Sequence, residues 1–541
     1  MAPLLERSLR TATWMFADDL GIVARAPHEL VAAVAADPRR TVFVVPELHG
    51  AYEPVDIVEH LLLPLLALPQ VRMVIETRTD VPCTEVLIGS VAAPAVMDLA
   101  DPRWTDRAGF DRWAASIRPT TAEANPNLVD VIDCYPSPGR ALGWAPVPTA
   151  APVLPSFDVD TLLAAEPHRV AAWLEEAERT GGHVGELGRA WIRAGQSLHL
   201  AQPRASRALV LLAALGSGGA AAAGEALDVR ARLAEHAASG PWQVVWSTTR
   251  DDDGPGWPGP VAALAPGTAQ RRGQVLIAGV SGDLRVIPAQ GGVPQARLAA
   301  DTTGTPLAVF GLPDGTVVVL DEWGRDHTVG EASYPVGGGL RGLLDAAVDE
   351  WKPLRDALLE FPGSVPGDAR LTAACAVQGG AAFGDETGRV HVLIRQPSEH
   401  PGPPDVLTRQ VHEGPVTALA SLTLAADDGA EGPCLVYSGG TDGNVHVWGL
   451  GSEPLEVPVQ ARPYPVTALS ADDGAVLGAA IAVAWADGLV RHEVLDPGSD
   501  HAEFHTAVRE LRPGPPVRAL CCLDRYVVIG TDEMTVVMEP R

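Results

Sequence analysis

The run HEGPVTALA (His412 to Ala420), followed by CLVYSGGTDGNVHVWGL (Cys434 to Leu450), constrains this chain most. Alternating Val, Ala and Leu lead into Ser438-Gly439-Gly440. A Thr441-Asp442-Gly443 turn follows, and a second alternating run ends at Trp448. Asp-Gly between two alternating apolar runs predicts a β-hairpin: glycine accepts the positive φ and aspartate closes the turn with its side chain. Similar turns recur at Ser281 (VLIAGVSGDLRVI), Asp314 (GLPDGTVVVL), Thr387 (FGDETGRVHVL), Asp487 (WADGLVRHEV) and Asp532 (IGTDEMTVV). Four apolar runs repeat as well: VAALA from Val261, VTALA from Val416, VTALS from Val466 and VRALC from Val517. From Trp242 onward the helical period mostly gives way to these strand pairs.

This pattern over residues 240–541 resembles the WD-repeat β-propeller family. The last three turns are about 45 residues apart, which is blade spacing, and the gap of about 73 residues between Asp314 and Thr387 leaves room for one further blade. Roughly 300 residues at about 43 per blade give seven. WQVVWS (Trp242 to Ser247) is placed to close the ring against the terminal strand Met534 to Met538, removing exposed edges. In the best-matching blade the resemblance implies a buried tetrad: Trp448 donates to Ser438, which bonds His412, which bonds Asp442. His412 and Asp442 then read as structural and not as a catalytic dyad. Elsewhere the Trp position holds Ile287, Leu320 or Leu393, so those blades rely on packing.

At 541 residues the chain is too long for one core and suggests two to four domains. Its net charge of −28 argues against a nucleic-acid footprint or an anionic membrane as partner. Lys352 is the only lysine among 40 basic residues. With heavy Ala, Gly, Pro and Asp use, that looks like high-GC coding of actinobacterial type. Cys83, Cys134, Cys375, Cys434, Cys521 and Cys522 form no CxxC pair and read as buried free thiols. Adjacent Cys521 and Cys522 face opposite ways on a strand. Glu6 and Arg7 interrupt any signal peptide, and prolines or Ala/Gly composition spoil both long apolar runs as membrane spans. The expected location is cytoplasmic.

Upstream of the repeats, TVFVV (Thr41 to Val45) predicts a strand buried on both faces. Asp56 to Leu66 has helical spacing, VRMVIETR (Val71 to Arg78) predicts a second strand, and EVLIGS (Glu85 to Ser90) a third. Strand–helix–strand spacing implies a right-handed crossover and a parallel sheet. Tyr135 to Pro155 is Pro-rich and reads as a linker. Three helices are expected after it, from an Asp158 cap, from Val184 to Leu198 and from Ala205 to Leu215.

TVFVVPELHGA, the following helix and VRMVIETR together resemble the second nucleotide motif of STAND-type signalling NTPases. VMDLADPRW (Val96 to Trp104) resembles the stretch that follows it in that family. Leu48, Ala51, Pro64-Leu65, Thr77 and Arg78 fit the pattern. Pro46 stands where the magnesium-liganding acid belongs, and His49-Gly50 replace the acidic pair. A phosphate loop needs a lysine after glycine to neutralise the phosphates. Lys352 precedes Pro353, so no such loop exists, and the stretch before Thr41 is short for one. Glu47 and Arg78 remain as one carboxylate and one cation, the weak candidates for holding a nucleotide.

Other catalytic signatures fail. No HExxH occurs, and His501 and His505 flank Glu503 in a Pro/Gly-rich turn and read as solvated. Gly279-Val280-Ser281-Gly282 lacks the helix of a nucleophile elbow, and Asp251-Asp252-Asp253-Gly254 lacks the closing Glu of a calcium loop.

The expected architecture is multidomain: a degenerate P-loop-NTPase-like α/β domain at 1–140, a helical connector at 156–238 and an all-β seven-bladed propeller at 240–541. The expected role is a non-catalytic scaffold or regulatory subunit that holds a protein partner on the propeller face. No cofactor, metal, nucleic acid or membrane is implied, and oligomeric state stays open. One alternative is a ligand-sensing switch with residual nucleotide binding in the N-terminal domain. The other is an enzyme with its site in the channel or the α/β domain.

Overall fold

The computed structural model describes residues 3–92, 94–98, 108, 112, 157–182, 184–216, 225–250, 257–298, 304–329, 351–365, 367–395, 402–425, 431–450, 452–473, 478–495 and 506–541. The Tyr135–Pro155 linker, Asp251–Gly254, Cys134 and His501–His505 lie outside them. The chain forms two compact units, residues 1–12 with 34–151 and residues 13–33 with 152–541.

In the first unit β1 (Thr41–Val45) and β2 (Val71–Ile75) pair in parallel, from Thr41↔Val71 to Val45↔Ile75. The crossover runs through α3 (Pro54–Ile57), a π turn (Val58–Leu62) and α4 (Leu63–Leu66). Pro64 has no N–H to complete the ordinary ladder there. Phe43, Val45, Ile57, Leu61, Leu65 and Val71 are buried. Two sequence expectations fail. Val42 and Val44 are 62% and 39% exposed, so β1 is buried on one face only. Glu85–Ser90 belongs to a helix, α5 (Pro82–Ser90), with proline in its first turn. The Thr84 hydroxyl anchors that helix by donating to the Arg78 carbonyl at 2.6 Å.

The second unit begins with helices. The apolar period from Asp158 is cut in two, α6 (Val159–Ala164) and α7 (Pro167–Arg179), because Glu166 precedes a proline and is extended at ψ 126°. Asp158 caps the first, accepting from the Thr161 N–H at 2.9 Å. Helices α8 (Gly185–His199), α9 (Arg204–Leu215) and α10 (Glu225–Ala237) follow. Trp191, Leu209 and Leu211 share one core with Leu511, Leu520 and Ile529 of the strand region.

Six antiparallel sheets follow among the described residues, five with four strands and one with three. Their inner strands are β4 (Val261–Pro266), β8 (Pro306–Gly311), β11 (Leu371–Val377), β15 (Val416–Ala425), β19 (Val466–Asp472) and β23 (Ala519–Leu523). Each packs on the next and β23 packs on β4, so the ring is closed. β3 (Trp242–Thr249) completes the last sheet by pairing with β25 (Met534–Pro540), from Met534↔Thr249 to Pro540↔Trp242. The fold of this region is a β-propeller with no exposed ring edge.

Among the described residues six blades form, not seven. β8 and β11 are direct neighbours, so no sheet fits between Asp314 and Thr387. The spacing misled because Asp314 lies in the first hairpin of its blade, before β9 (Val317–Asp321). The turn equivalent to Asp442 runs from Asp321 to Arg325, before β10 (Asp326–Val329). Leu320 therefore lies in the second strand and does not occupy the Trp448 position. The described helices in that gap are α11 (Lys352–Glu360) and the short 3-10 turn Phe361–Ser364 that follows it.

The blades meet through small residues. A Cβ on Gly439 would lie 2.5 Å from Cγ1 of Val466, the first residue of the next inner strand, and Gly384 stands in the same way to Val416. Gly439→Val is expected to cost about 1–3 kcal/mol by overpacking this seam. The check is the urea midpoint, and an unchanged midpoint would contradict the seam.

Candidate functional site

Ser438, His412 and Asp442 come together with the connectivity of a Ser-His-Asp triad. His412 Nε2 lies 2.8 Å from Ser438 Oγ and Nδ1 lies 3.1 Å from Asp442. Burial lowers the His412 pKa despite the neighbouring carboxylate, so the ring is neutral at pH 7. Nδ1–H then donates to Asp442 and Nε2 accepts the Ser438 hydroxyl proton. Ser438 is 0% exposed, so no substrate carbonyl reaches its oxygen. A fluorophosphonate probe should leave Ser438 unlabelled under native conditions, and labelling would contradict this geometry.

Trp448 shares the face, in register with Val436 and one step diagonal to Ser438. The structure gives no hydrogen bond between them, so Trp448 is held by packing among Leu419, Cys434 and Val436. His446 stands beside the network, its ring 5.2 Å from that of His412 and edge-on to it.

Two other blades carry a network that sequence reading missed. Asp385 Oδ1 accepts from the Thr387 N–H at 2.8 Å, the Thr387 hydroxyl at 2.7 Å and the Arg389 N–H at 3.0 Å. Its other oxygen meets His391 Nε2 at 3.1 Å, and both side chains are fully buried. Burial pushes the Asp385 carboxyl up, but these hydrogen bonds outweigh it and hold its pKa below the usual range. Asp321 repeats the arrangement with the Trp323 and Arg325 N–H groups, each at 2.9 Å, and with His327 at 2.9 Å. The signal was present as DEWGRDH (Asp321 to His327) against DETGRVH (Asp385 to His391).

The inner strands surround a cavity of about 190 Å³. Five of them slip register between their first and third residues, as at Val416/Ala418 and Val466/Ala468. Such a bulge re-aims the second residue. Ala262, Leu307, Thr417 and Thr467 accordingly line the cavity, with Arg518 at the matching position of the last blade. On the same side the turns between second and third strands present Trp323, 59% exposed, and Glu386 to solvent.

His492 is a buried histidine with an acid-dependent consequence. It packs against the Trp242 ring at 5.6 Å, and its Nδ1 has no partner. Burial, helped by Arg509, lowers its pKa to about 4 from 6.5. The unfolded chain binds this proton first, so the contribution is present above pH 6.5 and is lost as pH falls towards 4. His492→Leu should therefore lose about 3 kcal/mol less than the native chain between pH 7 and pH 4. Parallel pH profiles of the two would contradict this.

The N-terminal candidates sit just past the C-terminal ends of the parallel strands, where α/β sheets hold ligands. Glu47 has a left-handed backbone, φ 56°, ahead of the short helix Leu48–Gly50. Arg78 is engaged twice by Asp80, at 2.9 and 2.6 Å, and no bond joins it to Glu47. That pairing raises the Arg78 pKa and lowers that of Asp80. Lys352 pairs with Asp356 at 2.6 Å. Asp56, Glu59 and His60 cluster on the helix surface, all exposed. Cys521 and Cys522 enter different cores, and the five described cysteines are free.

No family model matches the chain, and no curated protein does. Similar solved structures include the crystal structure of RRP9 WD40 repeats, with 10% identity over 56% of this chain and 98% of that one, TM-score 0.33. The structure of U3-55K gives 10% identity, the same coverage and TM-score 0.32. Sqt1 from Chaetomium thermophilum gives 16% identity over 52% of this chain and 83% of that one, TM-score 0.33. The propeller is established by its own strand order and closure. No described helix is long and apolar enough to cross a membrane.

Proposed function

We propose that the chain is a non-catalytic interaction scaffold that holds a protein partner on the turn side of its propeller. One observation carries this reading: a closed ring of sheets whose turn side presents Trp323 and Glu386 to solvent. Exposed tryptophan is the residue type that most often anchors an interface. The net charge of −28 disfavours nucleic acid as the occupant. His412, Ser438, Asp442 and Trp448 then serve the blade and not a reaction. The test is capture from native lysate by the full chain, followed by rebinding of the recovered protein. Trp323→Ala should weaken that rebinding at least tenfold. Recovery of nothing specific, or turnover in a broad hydrolase screen, would overturn the reading.

We also propose that the N-terminal unit is a degenerate STAND-type relative that has lost nucleotide chemistry. Support comes from Pro46 in place of the metal acid and from Arg78 being taken up by Asp80. Millimolar ATP or GTP should leave the melting temperature unchanged. A rise of several degrees would favour the ligand-sensing switch instead.

A further inference from the structure

Residues 13–33 leave the first unit and join the second, and the chain then returns to the first. The second half of α1 (Leu9–Leu20) and the loop after it lie over the turns of the last two blades. Trp14 is buried where a Cβ on Gly195 would stand 2.1 Å from its ring. Gly21, at φ +68°, sits so close to Tyr464 that a Cβ would overlap its ring at 1.8 Å. Gln196 of α8 gathers the segment: Nε2 donates to Asp18 Oδ1 at 2.6 Å and to the Ile22 carbonyl at 2.8 Å, and Oε1 accepts from the Ala24 N–H at 2.9 Å. Further along, Arg25 pairs with Asp532 at 3.1 Å and Glu533 at 2.6 Å, and with its own Glu29 at 2.7 Å.

We propose that residues 13–33 form a pH-released latch across the turns of the last two blades. The gap bounded by Asp18, Gln196, Asp487, Gly488, Arg512 and Gly514 is about 10 Å³, room for one water and no more. Asp18, half-buried beside it, trades part of its hydration for the Gln196 amide. The groups facing Asp18 are Gln196 from α8, Asp487 from the fifth blade's turn, Arg512 from the loop before the last blade, and Asp19 on its own helix. Arg512 pulls the other way while also serving Asp487 at 2.8 Å, as does Arg462 at 2.7 Å. Burial first, with Asp19 and Asp487 adding to it, lifts the Asp18 carboxyl from 3.8 to about 7 against the pull of Gln196 and Arg512. Desolvation likewise raises Glu533 at the Arg25 end.

The sign follows from linkage. The closed state binds the Asp18 proton and the open state does not, so closure is favoured at low pH and weakens as pH rises through about 7. The equilibrium for opening should increase about tenfold from pH 6 to pH 8. The latch covers part of the side assigned above to a partner, but its pH response needs no partner.

Hydrogen exchange of the full chain, followed by mass spectrometry and corrected for intrinsic rate, tests this. Amides of residues 14–25 should lose about tenfold protection between pH 6 and pH 8, while those of β15 and β19 do not change. Asp18→Asn should keep the segment protected at both pH values and abolish the difference. Equal protection of the native chain at both pH values would overturn the proposal. So would an Asp18→Asn chain that keeps the native pH response.

Discussion

Asp385→Ala should destabilise the propeller by about 3–5 kcal/mol, because several buried donors lose their common acceptor at about 1–3 kcal/mol each. The carboxylate carries the turn of its blade. Its loss strands the Thr387 and Arg389 N–H groups and leaves His391 buried without its acceptor. Asp385→Asn keeps an acceptor oxygen for the turn and should recover part of the loss. Urea unfolding followed by tryptophan fluorescence reads both. A change under 1 kcal/mol for the alanine variant would mean that the blade does not depend on this network.

Trp448→Ala is expected to cost about 3–5 kcal/mol, as truncation of a core aromatic does. Trp448 is 5% exposed and packs with Val416, Leu419, Cys434 and Val436. What it contributes is contact, since its N–H does not reach Ser438. Trp448→Phe should therefore retain most of the stability. If phenylalanine proved as damaging as alanine, the indole N–H would have to be bonded after all, as the tetrad pattern of the resemblance implies.

Hairpins were legible in the sequence because their turns have local causes. Gly443 at φ +80° and the Asp442 carboxylate make the same turn wherever Thr-Asp-Gly sits between alternating apolar residues. Blade number was not legible, because spacing alone cannot tell a blade's first hairpin from its second. Two inner-strand runs were also too altered to match by eye: PLAVF (Pro306 to Phe310) and LTAAC (Leu371 to Cys375) do the work of VTALA. With those counted, the sequence repeats the inner-strand run six times, once for each sheet in the ring. Asp385 and His391 were missed for a similar reason. Their bond spans six residues across one turn, whereas the family pattern implies the longer His412–Asp442 span. The Glu85–Ser90 error came from three adjacent apolar residues, which fit strand or helix equally until Pro82 is weighed as a helix start. The latch had no sequence signature, because Asp18 and Gln196 meet only through tertiary packing.

On the proposed function, the turn side of the closed ring holds a protein. A photo-crosslinking residue at Glu386, on that side, compared with one at Arg272 in the turn that follows β4 on the opposite side, tests it in native lysate. One reproducible adduct from position 386 and none from position 272 is the predicted result. Equal labelling from both positions, or adducts from position 272 alone, would contradict it.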